Sequence, residues 1–330
     1  MNQLKGIIKI DRKSGIPLLG LIHVGILDRG SSLLQIRPST PCNCRCLFCS
    51  TAAQDYKLHP YNFIVDKNYL IEWLKYVIKL KDEKDLEANI DSVGEPTTYL
   101  QLTELITDIS KIPEVSFISM QTNGTLLTND LISKLENAGL NRINLSLHTL
   151  NKEKGKLLFC SDNYNLDKVL ESIENILKTR IELCLTPVWI PNINDKDMED
   201  IIKFAKERNI KLGIQKYEIY KYSRKIKSSK KVNFYRFYKQ LESWEKKYNI
   251  KLKLGPIDYS IRKTRKIPLI FKRGETTSAI IKCKGWLSNQ MIAVSNNRAI
   301  TINNCNAKPN SRLKVMIIEN KNSIYLAKKV

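Results

Sequence analysis

Pro41-Cys42-Asn43-Cys44-Arg45-Cys46-Leu47-Phe48-Cys49-Ser50 packs four cysteines into eight positions, just after the apolar stretch Leu33-Leu34-Gln35-Ile36. That stretch reads as a strand, so the cysteines sit on the loop that leaves it. Cys42, Cys46 and Cys49 follow a C-x3-C-x2-C spacing. Three thiolates on one short loop can hold three irons of a cubane and leave the fourth open to another ligand. A structural zinc site usually asks for four ligands in two separated pairs, and no second pair or Cys/His knuckle is present. Cys44 lies inside the motif and is read as a bystander. Cys160, Cys184, Cys283 and Cys305 are isolated and read as small packing residues. A tight cluster without a spaced, paired framework fits metal binding in a reducing compartment better than disulfides.

Outward from this loop, residues 30–255 alternate apolar β-rich runs with helical periodicity. Strands are expected at 33–36, 86–91, 115–120, 143–147, 181–188 and 211–215. Helices are expected at 66–80, 100–109, 129–138, 166–178, 196–208 and 234–248. Alternation of this kind means parallel strands with crossover helices, hence an α/β fold forming a partial or full (β/α) barrel. Active sites in such folds lie at the C-terminal ends of the strands. Beyond Pro268 the texture changes to short β runs at 277–282, 291–294, 299–302, 313–318 and 323–327, separated by Gly, Asn, Pro and Ser. These imply a small antiparallel β-barrel. The expected organisation is an N-terminal extension (1–30), a barrel domain (31–260) and a terminal β domain (261–330).

The cysteine spacing, the preceding strand and Phe48 before the third cysteine together resemble the radical S-adenosylmethionine (SAM) superfamily. The resemblance implies a [4Fe–4S] cluster on Cys42, Cys46 and Cys49, with SAM on the open iron. Reductive cleavage of SAM would then yield a 5′-deoxyadenosyl radical. In that family the aromatic at the place of Phe48 packs near the adenine. Gly94-Glu95-Pro96 resembles the family's Gly-Gly-Glu-Pro element, which meets the SAM amino group, although Val93 stands where the first glycine would be. Asn123, at the end of the third strand, and Ser146 with His148, at the end of the next, match positions whose polar side chains approach SAM. His148 is also the one candidate for a catalytic role. The segment 187–195 resembles the one whose backbone meets adenine, with Asn192 where a glycine is often found. Over its whole length the chain resembles an archaeal group of iron–sulfur oxidoreductases with a terminal TRAM-like (OB-like) barrel, and TRAM domains imply RNA.

Charge points the same way. The chain carries 55 basic and 33 acidic residues, a formal net charge of +22. Compositional drift in a Lys- and Ile-rich chain would scatter the lysines. Here eight basic and no acidic residues lie between Lys221 and Gln240, and six and none between Ile261 and Arg273. Tyr217, Tyr220, Tyr222, Tyr235 and Tyr238 flank or interleave the first run. Such stretches suit RNA, whose phosphates take the charge while splayed bases stack on rings. The reading is therefore an enzyme that modifies a nucleoside in RNA, tRNA favoured, reduced by a ferredoxin or flavodoxin. The alternatives are a radical SAM enzyme acting on a small metabolite, lipid or peptide, and a non-enzymatic iron–sulfur RNA-binding protein. No apolar run reaches the ~18 residues of a membrane span, and no signal peptide is read, so a cytoplasmic location is expected.

Overall fold

A computed structural model describes residues 4–330. In chain order its elements begin with β1 (Gly6–Ile10), β2 (Gly25–Asp28), β3 (Leu33–Arg37), β4 (Tyr61–Val65), α1 (Lys67–Lys81), β5 (Leu86–Ile90), α2 (Leu102–Ser110) and β6 (Val115–Thr122). They continue with α3 (Asn129–Asn137), β7 (Arg142–Leu145), α4 (Lys152–Phe159), α5 (Leu166–Ile176), β8 (Glu182–Leu185), β9 (Val188–Trp189) and α6 (Asp195–Glu207). Then come β10 (Lys211–Leu212), β11 (Gln215–Lys216) and α7 (Phe234–Tyr248). The last five strands are β12 (Thr276–Lys284), β13 (Gln290–Ser295), β14 (Arg298–Asn303), β15 (Arg312–Glu319) and β16 (Leu326–Lys329).

The chain forms two compact units, one of residues up to 42 with 53–118 and 261–330, the other of 43–52 with 119–260. In the first unit β3 runs parallel to β5, with Leu34 opposite Ala88 and Ile36 opposite Ile90, while β2 pairs antiparallel to β3. Helix α1 starts where Asp66 caps it, its carboxylate accepting from the Tyr69 amide at 2.9 Å. Leu70, Trp73, Leu74, Val77 and Ile78 then recur at helical spacing and are buried. In the second unit β6, β7, β8 and β10 pair in parallel, with α3, α4 and α5 among their crossovers. This is the expected α/β arrangement of parallel strands.

The terminal strands close into a barrel in the order β12-β13-β14-β16-β15. Four of its pairings are antiparallel, and β14–β16 is parallel because β16, antiparallel to β15, inserts between β15 and β14. Alternate residues point inward, so Ala279, Ile281, Met291, Ala293, Ile300, Ile302, Val315, Ile317 and Ala327 fill the interior around Tyr325 and Phe271. Burying each such aliphatic chain contributes about 1.5–3 kcal/mol for the larger ones. Residues 4–30, within the stretch read from sequence as an extension, supply β1, β2 and a buried segment, Ile16 to Leu21, in the same unit. There the Leu19 and Gly20 carbonyls accept from the Ala299 and Tyr325 amides at 3.0 and 3.1 Å. Gly20 has φ +126°, and a Cβ there would collide with the Ala299 carbonyl, so only glycine permits this approach. Among the described residues no helix is long and apolar enough to cross a membrane.

A buried ion pair fixes the strap that leads into the barrel. Lys81, in the last turn of α1, donates to Asp28 and to the Arg265 carbonyl, both at 2.9 Å. Asp28 also accepts from the Gly30 and Ile267 amides at 2.9 and 3.0 Å. Both side chains are buried. Lys81→Met should therefore cost about 3–5 kcal/mol in denaturant unfolding, because it strands the Asp28 charge. Asp28→Asn combined with Lys81→Met should cost less than the sum of the two single changes.

His23 gives a pH signature. Its ring stacks on Trp286 at 5.5 Å, the His59 ring stacks on the same indole at 4.1 Å, and Phe63 meets His23 edge-on. Burial, reinforced by nearby His59 and Arg37, pushes the His23 pKa down to about 3. Its ordinary value is 6.5, so below that pH the unfolded chain takes up a proton that the folded chain refuses. Stability should be flat in this respect above pH 6.5 and fall toward pH 3. In His23→Phe, thermal unfolding against pH should show an acid limb shallower by one proton.

Candidate active site

Residues between β3 and β4 form neither helix nor strand around the cysteines, so their backbone groups need partners elsewhere. In the first unit the Glu95 amide donates to the Pro41 carbonyl at 2.8 Å, and the Gln54 side chain donates to the carbonyl of Cys42. In the second unit the Arg45 and Leu47 amides donate to the Phe159 and Leu158 carbonyls at 3.1 and 2.9 Å. Arg224 donates from its amide to the Cys49 carbonyl at 3.0 Å and from Nη1 to the Cys46 carbonyl at 3.1 Å. The Ser223 hydroxyl donates to the Ser50 carbonyl, also at 3.1 Å. Tyr217 ties this clasp together, its hydroxyl donating to the Arg224 carbonyl and accepting from the Ile226 amide, each at 3.2 Å. None of Tyr217, Ser223 and Arg224 was singled out from sequence as a site residue. Their only signal was the basic, Tyr-rich composition, which does not reveal a partner some 175 residues away.

All eight cysteines are thiols. Cys42, Cys46 and Cys49 are half-buried, whereas Cys44 is buried and accepts a hydrogen bond from the Asn123 amide nitrogen at 3.6 Å. Among the described residues no three His, Cys, Asp or Glu side chains converge on a single metal ion. A cubane makes a different demand, since each thiolate meets its own iron around a larger body. Three half-buried thiols on one loop fit that donor set. The Cys49 sulfur lies 3.3 Å from the Thr51 hydroxyl. A thiolate has no proton to give, so in a ligating Cys49 the hydroxyl is the donor.

The other expected contacts fall into two groups. In the first unit a Cβ on Gly94 would land on the Thr40 and Pro41 carbonyls, so glycine is required for the turn to pass beside the residue before Cys42. Val93, in the place of the pattern's first glycine, is buried. Glu95 is buried, and its carboxylate caps the short turn begun by Pro96, accepting from the Thr97 amide and hydroxyl at 3.1 and 2.7 Å. In the second unit Asn123 ends β6 and donates to Asn43 at 2.9 Å, while its oxygen accepts from the Thr125 amide and hydroxyl at 2.9 and 2.6 Å. This small net holds the Asn43–Cys44 backbone.

Phe48 is buried with Leu158, Ile190 and Tyr217, and its ring meets His148 edge-on at 4.5 Å. His148 accepts from the Val188 amide at Nδ1, 3.0 Å away, which leaves its neutral proton on Nε2. Burial pushes its pKa down to about 3, so it stays neutral at ordinary pH and packs Phe48. Ser146 is half-buried beyond β7, with its amide bonded to the Thr122 carbonyl at 2.9 Å. Asn192 has φ +67°, a left-handed conformation in which glycine is the usual occupant.

Cys44 thus differs from Cys42, Cys46 and Cys49 in burial, and the expected ligand set can be tested. Alanine at Cys42, Cys46 or Cys49 should abolish iron and sulfide incorporation on anaerobic reconstitution. Cys44→Ala should retain both, with at most a loss of stability from the vacated packing.

Comparison with known proteins agrees with this geometry. Residues 36–205, more than half of the chain, match the Radical SAM superfamily. An uncharacterized protein of the archaeon Methanocaldococcus jannaschii is 34% identical over 96% of this chain and 79% of its own length. A GTP 3′,8-cyclase of Aquifex aeolicus is 31% identical over 58% of this chain and 58% of its own, so the chain spans little more than half of that enzyme. Among solved structures, the FeFe-hydrogenase maturase HydG of Carboxydothermus hydrogenoformans superposes with a TM-score of 0.53 at 15% identity, covering 64% of this chain and 50% of that one, a likeness of fold. The thiol loop, its preceding strand and these relatives converge: the chain belongs to the radical SAM superfamily of enzymes, which use a [4Fe–4S] cluster and S-adenosylmethionine.

Proposed function

We propose that this radical SAM enzyme modifies a nucleoside within RNA, with tRNA as the substrate class, and that residues 261–330 are a TRAM-like module that holds it. The observation that carries the reading is the outer face of the barrel. Alternation places Ser278, Ile280 and Lys282 outward on β12, with Arg312, Lys314 and Met316 outward on β15 and Lys328 on β16. Cross-strand register sets Ile280 beside Arg312, Ser278 beside Lys314 and Met316 beside Lys328. Four cations thus share one sheet face with no acidic residue among these positions, and that supports a polyanion. Bound together, the reduced cluster and SAM supply a 5′-deoxyadenosyl radical that abstracts a hydrogen atom. The protein's own part is to hold the cysteine loop, shield it with Phe48 and its apolar neighbours, and orient the substrate. A ferredoxin or flavodoxin as reductant and a cytoplasmic location complete the proposal.

The likeness to GTP 3′,8-cyclases favours a second reading, a free purine nucleotide as substrate. One assay separates the two. Reconstituted enzyme reduced with dithionite should form 5′-deoxyadenosine with total tRNA and SAM, and Cys46→Ala should not. Its tRNA affinity should fall steeply with salt, by about 10³-fold or more between 50 and 200 mM if about six phosphates are neutralised. Turnover with GTP but not with tRNA would overturn the RNA reading.

A further inference from the structure

The start of α7 carries aromatic rings that the fold does not use. Asn233 caps the helix, accepting from the Arg236 amide at 2.9 Å, and Phe237, Leu241 and Trp244 turn inward and are buried. Phe234, Tyr235 and Tyr238 flank that buried face and are 57%, 69% and 47% exposed. Phe234 and Tyr238, one turn apart, stack at 6.2 Å with 27° between their planes. Lys216 stands over the Phe234 ring at 4.8 Å and Lys239 over the Tyr235 ring at 5.6 Å. The preceding segment repeats the pattern, with Tyr220 and Tyr222 60% and 40% exposed and Lys221 over Tyr222 at 5.1 Å.

Exposed rings grouped at the start of α7, with two more on the preceding segment, mark an interaction surface, and the charge around them selects the partner. Eight basic and no acidic residues between Lys221 and Gln240 disfavour an ordinary apolar protein face. Four of the five rings are tyrosines, whose hydroxyls suit a wet polar partner better than acyl chains. Nucleobases present π-faces to such rings while their phosphates meet the lysines. In a duplex those faces are covered by neighbouring bases, so the fitting partner is an unpaired strand. The segment 217–226 is also the clasp of the cysteine loop, since Arg224 holds the Cys46 and Cys49 carbonyls and Ser223 that of Ser50.

We infer that Tyr220, Tyr222, Phe234, Tyr235 and Tyr238 form a stacking platform for an unpaired nucleic-acid strand, the first two on the segment that clasps the cysteine loop and the other three at the start of α7. This rests on the RNA reading above and deepens it, because it names the strand state and the rings that take it. The platform would let bases splay out of a structured RNA, with Tyr220 and Tyr222 on the segment that braces the cysteine loop, while the lysines hold the flanking phosphates.

The test uses the full-length, reconstituted protein, with three fluorescent probes at fixed salt: a mixed-sequence single-stranded RNA, its duplex, and anionic phospholipid vesicles. Tyr235→Ala/Tyr238→Ala should bind the single strand about 5- to 100-fold more weakly, as expected for losing one stacked base. Duplex affinity and melting temperature should be unchanged. Tyr235→Phe/Tyr238→Phe, which keeps the rings, should restore single-strand binding. If the wild type binds RNA and the alanine variant binds the single strand equally tightly, the platform is overturned and the RNA reading stands. If the wild type binds neither RNA, both fail. Vesicle binding lost in the alanine variant, without single-strand binding, would assign the face to a membrane and overturn the inference.

Discussion

A loop without secondary structure that must present three thiols has to have its backbone satisfied by something else, and much of this chain serves that end. An irregular segment cannot fold its own amides and carbonyls away, and leaving such a group buried and unbonded costs about 1–3 kcal/mol. Within the first unit the Gly94–Glu95 turn and Gln54 meet the carbonyls of Pro41 and Cys42. Within the second, Phe159 and Leu158 receive the Arg45 and Leu47 amides, while Arg224 and Ser223 cover Cys46, Cys49 and Ser50. Glycine at position 94, where any Cβ would strike two carbonyls, follows from the same demand. So does the Asn123–Asn43–Thr125 net.

The histidines illustrate how burial rather than sequence position sets chemistry. His148 ends a strand among polar residues, where a catalytic base would be sought. Its surroundings are rings, Phe48 and Phe159, and its Nδ1 receives a backbone amide. Desolvation makes it a neutral spacer that fixes Phe48. His23 is neutral for the same reason, stacked with Trp286 in the first unit. Cationic character lies elsewhere, on the barrel's outer face and along the 221–240 segment, where solvent exposure leaves lysine and arginine charged.

The cysteine spacing, the aromatic before the third cysteine, the capped and periodic helices such as α1, and the alternating strands of the barrel were all legible in the sequence. Each is a local pattern, fixed by residues within one or two turns or one strand. Two-residue strands such as β9 and β11 were not separable, because so short a pairing leaves no periodicity. Helix α4 escaped notice because Lys152–Phe159 is short and polar and contains Gly155, which in the fold lies against the Tyr164 ring.

By itself, then, the sequence determined the cysteine spacing, the α/β class and the terminal barrel, because residue spacing and hydrophobic period are properties of neighbouring residues. Only the tertiary structure decided that Cys44 turns inward onto Asn123 while its three neighbours stay half-exposed. It also decided that Glu95 spends its carboxylate on a cap, that residues 16–21 pack into the barrel's unit, and that Arg224 braces the loop. Each of these depends on a partner distant in the chain or on an orientation that spacing leaves open. The physical reason is common to them: burial and hydrogen-bond satisfaction are settled between segments, and a residue's own neighbours do not say which segment will arrive.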